Sequence, residues 1–265
     1  MYSYSWLAII HNIDKKSGRC YDYYRFEITI VEEKGVVAMN ITMLIIALAG
    51  IAVDIWFIGT EYAGKMLKAT VLKGCASLFF VLLGIYCYTL NPSPFGKLIL
   101  IGLILGLIGD VFLNLRNLYE GGKSNKVFAV GILAFLSGHF LYIAALIKRF
   151  PGIVLMALVI TAVISVLAIP PLMKQISAPS KGLKIFGYVY LVIVIAMFSA
   201  ALSLLIKTGA GSMSIVFTVG AFLFLISDFI MIYYSFGKKI KPLRAINLLS
   251  YYVGQLLIAL CIFLA

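Results

Sequence analysis

The chain has 265 residues, of which 63% are hydrophobic and 12% are charged, and its mean hydropathy is +1.08. No soluble core needs so much apolar sequence, so these values exclude a soluble domain and indicate a polytopic membrane protein. The net charge of +12 lies mostly in short loops without the interleaved aromatic residues of a nucleic-acid site. We therefore expect membrane lipids, and no nucleic acid, as partners.

Residues 1–38 differ from the rest of the chain because they are polar and aromatic and contain no stretch that could span a membrane. The segment Lys34-Gly35-Val36 can be encoded by a strong ribosome-binding sequence, a short distance ahead of the codon for Met39. We therefore expect the native protein to start at Met39. Residues 1–38 would then be an extension outside the native protein, and residues 39–265 would form one transmembrane domain.

From Met39 onwards the apolar runs predict an all-α integral membrane protein with about eight transmembrane helices. The predicted spans are approximately 41–60, 69–90, 97–115, 127–147, 152–173, 184–206, 213–234 and 245–264. The third and the seventh span each carry an Asp at a similar depth. This spacing suggests a pseudo-repeat of four plus four helices with parallel halves.

The loop charges predict the orientation of the chain in the membrane. The loops after spans one, three, five and seven contain twelve Lys and Arg residues, whereas the opposite side contains four when residues 1–38 are left out. The positive-inside rule then places the twelve in the cytoplasm and both termini outside. We expect an integral protein of a bacterial-type plasma membrane, with its active-site side facing the cytoplasm.

The third span places a carboxyl group inside the hydrophobic region. Small and polar residues recur at every fourth position of this span and share one helix face: Gly102, Gly106, Asp110 and Asn114. The glycines allow a neighbouring helix to approach closely, so the polar residues point at protein and not at lipid. Because an intramembrane charge costs roughly 2.5–3.5 kcal/mol on insertion scales, Asp110 is a candidate functional residue.

Other spans carry polar side chains near the depth of Asp110. Ser227 and Asp228 repeat the pattern of a small residue followed by Asp on the seventh span, and Lys73 lies at a similar depth on the second. The further polar positions are on spans four and eight: His139, Tyr142, Asn247, Tyr251, Tyr252 and Gln255. Because polar groups buried in a membrane need partners, we expect these side chains to converge in one pocket open to the inner leaflet.

Each candidate also has a purely structural interpretation. Asp110 and Asp228 could form an interhelical hydrogen bond or ion pair, and Lys73 could extend its ammonium group to the lipid headgroups. His139 could be a core residue bonded to a nearby hydroxyl, and the tyrosines and glutamine of span eight could simply join helices. Asp54, on the first span, is interpreted as a carboxylate at the membrane interface.

Four short motifs resemble those of the YhhN-like lysoplasmalogenase family, in the same order and on the same spans. They are Gly109-Asp110-x-x-Leu113, Gly138-His139-x-x-Tyr142, Leu225-x-Ser227-Asp228 and Tyr251-Tyr252-x-x-Gln255. Lys73 corresponds to a family lysine that proline usually follows, whereas Gly74 follows it here. Tyr190 and Met197 are similar to a Tyr/Met pair on span six. The resemblance extends from about span two to the C-terminus.

The resemblance implies hydrolysis of the vinyl-ether bond of a lysoplasmalogen, a lysophospholipid, to a fatty aldehyde and a glycerophospho-amino-alcohol. Asp110 and Asp228 are the expected catalytic pair, because vinyl-ether hydrolysis needs a proton donor to carbon and a stabilised oxocarbenium ion, as glycoside hydrolysis does. The sequence leaves open which of them is the acid. The residues expected to bind substrate are Lys73, Asn114, His139, Tyr142, Tyr190, Ser227, Tyr251, Tyr252 and Gln255.

No cofactor is expected. His139 is the only histidine after His11, so a multi-histidine metal site is excluded by the number of available ligands. Two other classes of protein remain as alternatives. A proton-coupled transporter of a lipid-like or small substrate would also bury two Asp residues, and a structural or lipid-sensing membrane protein would tolerate Asp→Asn at both sites.

Overall fold

The structure, a computed structural model, describes residues 27–32, 35–177 and 181–265. Most of the predicted N-terminal extension lies outside these ranges. Two short strands, β1 (Glu27–Glu32) and β2 (Gly35–Asn40), pair antiparallel ahead of the first helix, with Glu27 opposite Asn40. The start at Met39 stays a prediction.

The predicted all-α architecture with eight membrane-spanning helices is confirmed within the described residues. The helices are α1 (Ile41–Tyr62), α2 (Met66–Leu90), α3 (Pro94–Leu115), α4 (Gly121–Arg149), α5 (Val154–Lys174), α6 (Lys181–Thr208), α7 (Ser212–Phe236) and α8 (Lys241–Leu264). Single 3₁₀ turns extend α3 at its end (Arg116–Leu118) and precede α5 (Pro151–Ile153). Each helix is long and apolar enough to cross the hydrocarbon layer.

Local sequence signals define several helix ends. The Asn40 side chain accepts a hydrogen bond from the Thr42 backbone N–H at 3.0 Å and so caps the start of α1. The Ser93 hydroxyl accepts one from the Gly96 N–H at 3.0 Å, directly ahead of Pro94 at the first position of α3. The chain turns from α1 into α2 at Gly64, whose φ of +74° favours glycine.

The order in which the helices pack fits the suggested four-plus-four repeat in part. Consecutive helices are neighbours within α1–α4 and again within α5–α8, and the contact of α2 with α8 has its counterpart in that of α6 with α4. The halves also meet where α8 packs against α1 and α3, and in the described part of the chain α4 makes no comparable helix contacts with α5 and α7.

The two halves also share a close backbone approach. A Cβ atom at Gly138 of α4 would lie 3.1 Å from the carbonyl oxygen of Gly102 on α3, and one at Gly254 of α8 would lie 2.9 Å from that of Gly220 on α7. Small residues therefore bring α3 against α4 and α7 against α8 at equivalent places.

Candidate active site

Asp110 lies at the centre of a buried hydrogen-bond network between α2, α3 and α8. Its Oδ1 is 3.1 Å from the ammonium nitrogen of Lys73. Its Oδ2 accepts hydrogen bonds from the hydroxyls of Ser77 at 2.7 Å and Tyr251 at 2.6 Å. All four side chains are buried. With a cation and two hydroxyl donors around it, Asp110 is placed to carry a negative charge inside the protein.

The same network includes further residues that the sequence predicted. Tyr252 lies 3.1 Å from the Ser77 hydroxyl, oxygen to oxygen. The Gln255 amide donates to the Tyr251 oxygen at 3.2 Å and accepts from the Tyr142 hydroxyl at 3.0 Å. A continuous chain of hydrogen bonds therefore connects α2, α3, α4 and α8 around Asp110.

Asp228 has a different environment. Its Oδ2 accepts a hydrogen bond from the Tyr190 hydroxyl at 2.8 Å, and both residues are buried. Among the described residues, no Lys, Arg or His lies within ion-pair distance of this carboxyl. A buried carboxyl without a cation is more stable in its neutral form, which carries a transferable proton.

Lys73 and Tyr190 occupy corresponding places in the two halves of the protein. Lys73 lies on α2 and contacts the Asp of α3, whereas Tyr190 lies on α6 and contacts the Asp of α7. Asp110 lies about two turns beyond Gly102 on α3, and Asp228 lies about two turns beyond Gly220 on α7. The repeated fold therefore holds two carboxyls in the same way and gives them different partners.

Three of the predicted site residues lie outside both carboxyl clusters. The Asn114 amide donates to the Thr70 hydroxyl at 3.1 Å. Ser227 precedes Asp228 but accepts a hydrogen bond from the Asn247 amide at 2.8 Å, which joins α7 to α8. These two contacts join neighbouring helices. His139 is the third residue that lies outside both clusters.

The His139 ring is fully enclosed between α4, α6 and α7. Its Nδ1 lies 2.7 Å from the backbone carbonyl oxygen of Phe135, and its Nε2 has no hydrogen-bond partner among the described residues. The ring centre is 4.6 Å from that of Phe224 and 5.9 Å from that of Tyr190. Because Phe224 also lies 5.2 Å from the ring of Tyr251, aromatic side chains connect the surroundings of the two carboxyls.

A cavity of about 380 Å³ reaches both clusters from one end of the bundle. Its deep end is lined by Lys73, the partner of Asp110, and by Tyr190, the partner of Asp228. The two carboxyls lie directly behind these lining side chains. Its middle is apolar, with Leu113, Phe128, Ile132, Met173, Phe186, Met231 and Ile232. The volume is within the range of small-molecule sites.

Charged residues surround the mouth of this cavity, at the end of the bundle that holds the twelve loop cations. Arg116, Lys184, Lys239 and Arg244 line it, together with Glu61. The Arg244 guanidinium contacts both carboxylate oxygens of Glu61, at 2.8 and 3.1 Å. Among the described residues, the mouth therefore carries four cations and one carboxylate.

The structure corrects one interpretation and adds residues to the site. Asp54 is fully buried, and neither of its carboxyl oxygens has a hydrogen-bond partner among the described residues, so it is not an interfacial carboxylate. Lys73 does not extend to the headgroups, because it pairs with Asp110 instead. Ser77 was missed, since a serine in an apolar helix gives no signal, although it lies one turn from Lys73. Arg244 was counted only as a loop charge.

No group of three or more His, Cys, Asp or Glu side chains in the described part of the chain could hold a metal ion. A model of the YhhN family matches residues 69–262, a range that includes Lys73, both carboxyls and the motifs of α4 and α8. No curated protein and no solved structure gives a match.

Proposed function

The chain belongs to the YhhN family, and we propose that it is a membrane-embedded hydrolase that cleaves the vinyl-ether bond of a lysoplasmalogen. The observation that carries this proposal is the pair of buried carboxyls with unlike partners, each one contact away from the same cavity. Acid-catalysed hydrolysis needs one carboxyl that holds a proton and one that carries charge, and the two environments divide these roles.

In the proposed reaction Asp228 is the source of the proton. Tyr190 lines the cavity and contacts Asp228. In the reactive state the neutral Asp228 donates to the Tyr190 oxygen, which reverses the hydrogen bond of the structure and turns the Tyr190 hydroxyl towards the cavity. This hydroxyl passes its proton to the β-carbon of the vinyl ether while its oxygen takes the proton of Asp228. The carbon–carbon double bond becomes single, and the positive charge is shared by the α-carbon and the ether oxygen. Asp228 is left as a carboxylate close to this oxocarbenium ion.

Water then adds to the α-carbon and gives a hemiacetal, and its released proton returns Asp228 to the neutral state. The hemiacetal breaks at the ether oxygen, which leaves with a proton as the glycerol hydroxyl, and the other product is the fatty aldehyde. The Lys73 ammonium lines the cavity and orients the attacking water, and the Asp110 carboxylate behind it offsets the Lys73 charge that would otherwise oppose the cation. The basic mouth receives the phosphate, and the apolar side chains of the cavity wall contact the glycerol carbons and the part of the alkenyl chain next to the vinyl ether.

The decisive experiment compares two substrates on the purified protein. A lysoplasmalogen should release fatty aldehyde, whereas its saturated 1-O-alkyl analogue should not, because it has no double bond to protonate. Variants with Asp110→Asn or Asp228→Asn serve as negative controls. Absence of aldehyde from the wild-type protein, together with substrate flux that depends on a proton gradient in vesicles, would favour the transporter instead.

A further inference from the structure

The charges at the mouth of the cavity are unbalanced. Arg116, Lys184 and Lys239 line it from the end of α3, the start of α6 and the segment before α8. No acidic side chain of the described residues lies within ion-pair distance of any of these three cations. Three separate segments therefore direct cationic side chains at one opening.

Among the described residues that line the cavity, the single acidic side chain already has a partner. Glu61 contacts the Arg244 guanidinium through both carboxylate oxygens, which is the bidentate geometry that holds such pairs together. It is therefore not free to bind the ammonium group of a choline or ethanolamine headgroup.

Two of the aromatic rings that line the cavity are occupied in the same way. The Arg116 guanidinium lies over the ring of Phe128, 4.3 Å from its centre, and that of Arg244 lies 5.8 Å from the centre of the Tyr234 ring. A quaternary ammonium group usually binds to the open face of an aromatic ring. One face of Phe128 and one face of Tyr234 already hold a cation.

We propose that this protein selects lysophospholipids whose headgroup carries a net negative charge, a phosphomonoester or a phosphoglycerol, over those with a zwitterionic amino-alcohol headgroup. The inference rests on the proposed function, in which the mouth receives the headgroup. A phosphate would neutralise part of the cluster formed by Arg116, Lys184 and Lys239. An added ammonium would meet these cations without a free carboxylate, whereas a second negative charge would be stabilised.

The test measures binding and hydrolysis separately. Binding uses three saturated 1-O-hexadecyl lysolipids with phosphomonoester, phosphoglycerol or phosphocholine headgroups, in micelles of an uncharged detergent. The phosphomonoester should bind about tenfold more tightly than the phosphocholine lipid at low salt, and the difference should shrink as salt is added. Soluble glycerol phosphate should not compete at the same concentration, because it has no chain for the apolar part of the cavity.

Charge-neutralising variants identify the residues responsible. Arg116→Gln and Lys239→Gln should each reduce the tenfold preference about twofold, because three cations share it. Lys238→Gln is the matched control, because Lys238 is the exposed neighbour of Lys239 and does not line the cavity. Its preference should equal that of the wild type.

The outcomes separate this inference from the proposed function. Equal or tighter binding of the phosphocholine lipid, or an equal change in Lys238→Gln and Lys239→Gln, would overturn the headgroup selection. Binding of glycerol phosphate as tight as that of the lipid would show a site for free anions and would overturn it as well. Selective binding without aldehyde release from any vinyl-ether substrate would refute the hydrolase and leave the selection standing.

Discussion

The unlike partners of the two carboxyls predict that Asp228→Asn and Asp110→Asn fail in different ways. Asn keeps the shape of Asp and can still accept the Tyr190 hydrogen bond, but it can neither supply an acidic proton nor carry a negative charge. Asp228→Asn should therefore lower aldehyde release by about 10²–10⁴-fold, the usual contribution of a general acid. It exchanges one neutral hydrogen bond for another and should cost about 1 kcal/mol of stability or less.

Asp110→Asn should lower aldehyde release by a similar factor and also destabilise the fold. The Lys73 side chain is only 6% exposed, and Asp110 is its ion-pair partner at 3.1 Å. Neutralising Asp110 leaves the ammonium group buried without a counter-charge, which typically costs about 3–5 kcal/mol. Lys73→Met, introduced into the Asp110→Asn variant, removes the unpaired ammonium group. It should restore part of the lost stability without restoring activity.

The assay for this comparison is aldehyde release together with thermal unfolding in detergent, on the same preparations. Glu120→Gln is the control, because Glu120 is exposed and its side chain makes no capping contact with α4. Near-normal aldehyde release by Asp228→Asn with an unchanged unfolding temperature would refute its role as the acid. Equal losses of stability in the two Asp→Asn variants would refute the division into a charged and a neutral carboxyl.

Four further predictions test other parts of the molecule. The Asp110→Asn/Asp228→Asn double variant should be scarcely less active than either single variant in single-turnover assays. The losses from the two substitutions do not add, because both residues serve the same step. Tyr190→Phe should reduce aldehyde release about as strongly as Asp228→Asn and leave lipid binding unchanged, and retained activity would exclude the proton relay. Gly254→Ala should lower the unfolding temperature by an amount equivalent to about 1–3 kcal/mol, since its Cβ would lie 2.9 Å from a backbone carbonyl. A cysteine at position 238, introduced as Lys238→Cys, should resist a membrane-impermeant thiol reagent in intact cells, and labelling there would reverse the predicted orientation.

The spans and the two carboxyls could be predicted from sequence because both depend on local composition. A run of about twenty apolar residues predicts a membrane-spanning helix whatever its neighbours are. An Asp within such a run is recognisable because a charge in the bilayer has a high free energy. The four motifs on α3, α4, α7 and α8 then identified the family, which the match over residues 69–262 bears out.

Partnerships between side chains could not be predicted, because they depend on how the helices rotate against one another. Lys73 looked equally suited to the headgroups and to the pocket, and only the packing of α2 against α3 brings it to Asp110. Asp54 shows the opposite error. Its position near Trp56 suggested the interface, but the packing of α1 turns it inwards, away from lipid and water.

The pairing of Lys73 with one carboxyl and Tyr190 with the other has a consequence for how such a site can arise. Two separate copies of a four-helix unit, assembled as a symmetric homodimer, would present the same residue to both carboxyls, because one sequence encodes both. Both acids would then have the same average charge, even where they share one proton, and neither would be fixed as the proton donor. Covalent linkage of α1–α4 to α5–α8 frees each half to vary alone. A single chain with two similar halves can therefore surround its two carboxyls with different side chains, as Lys73 and Tyr190 do here.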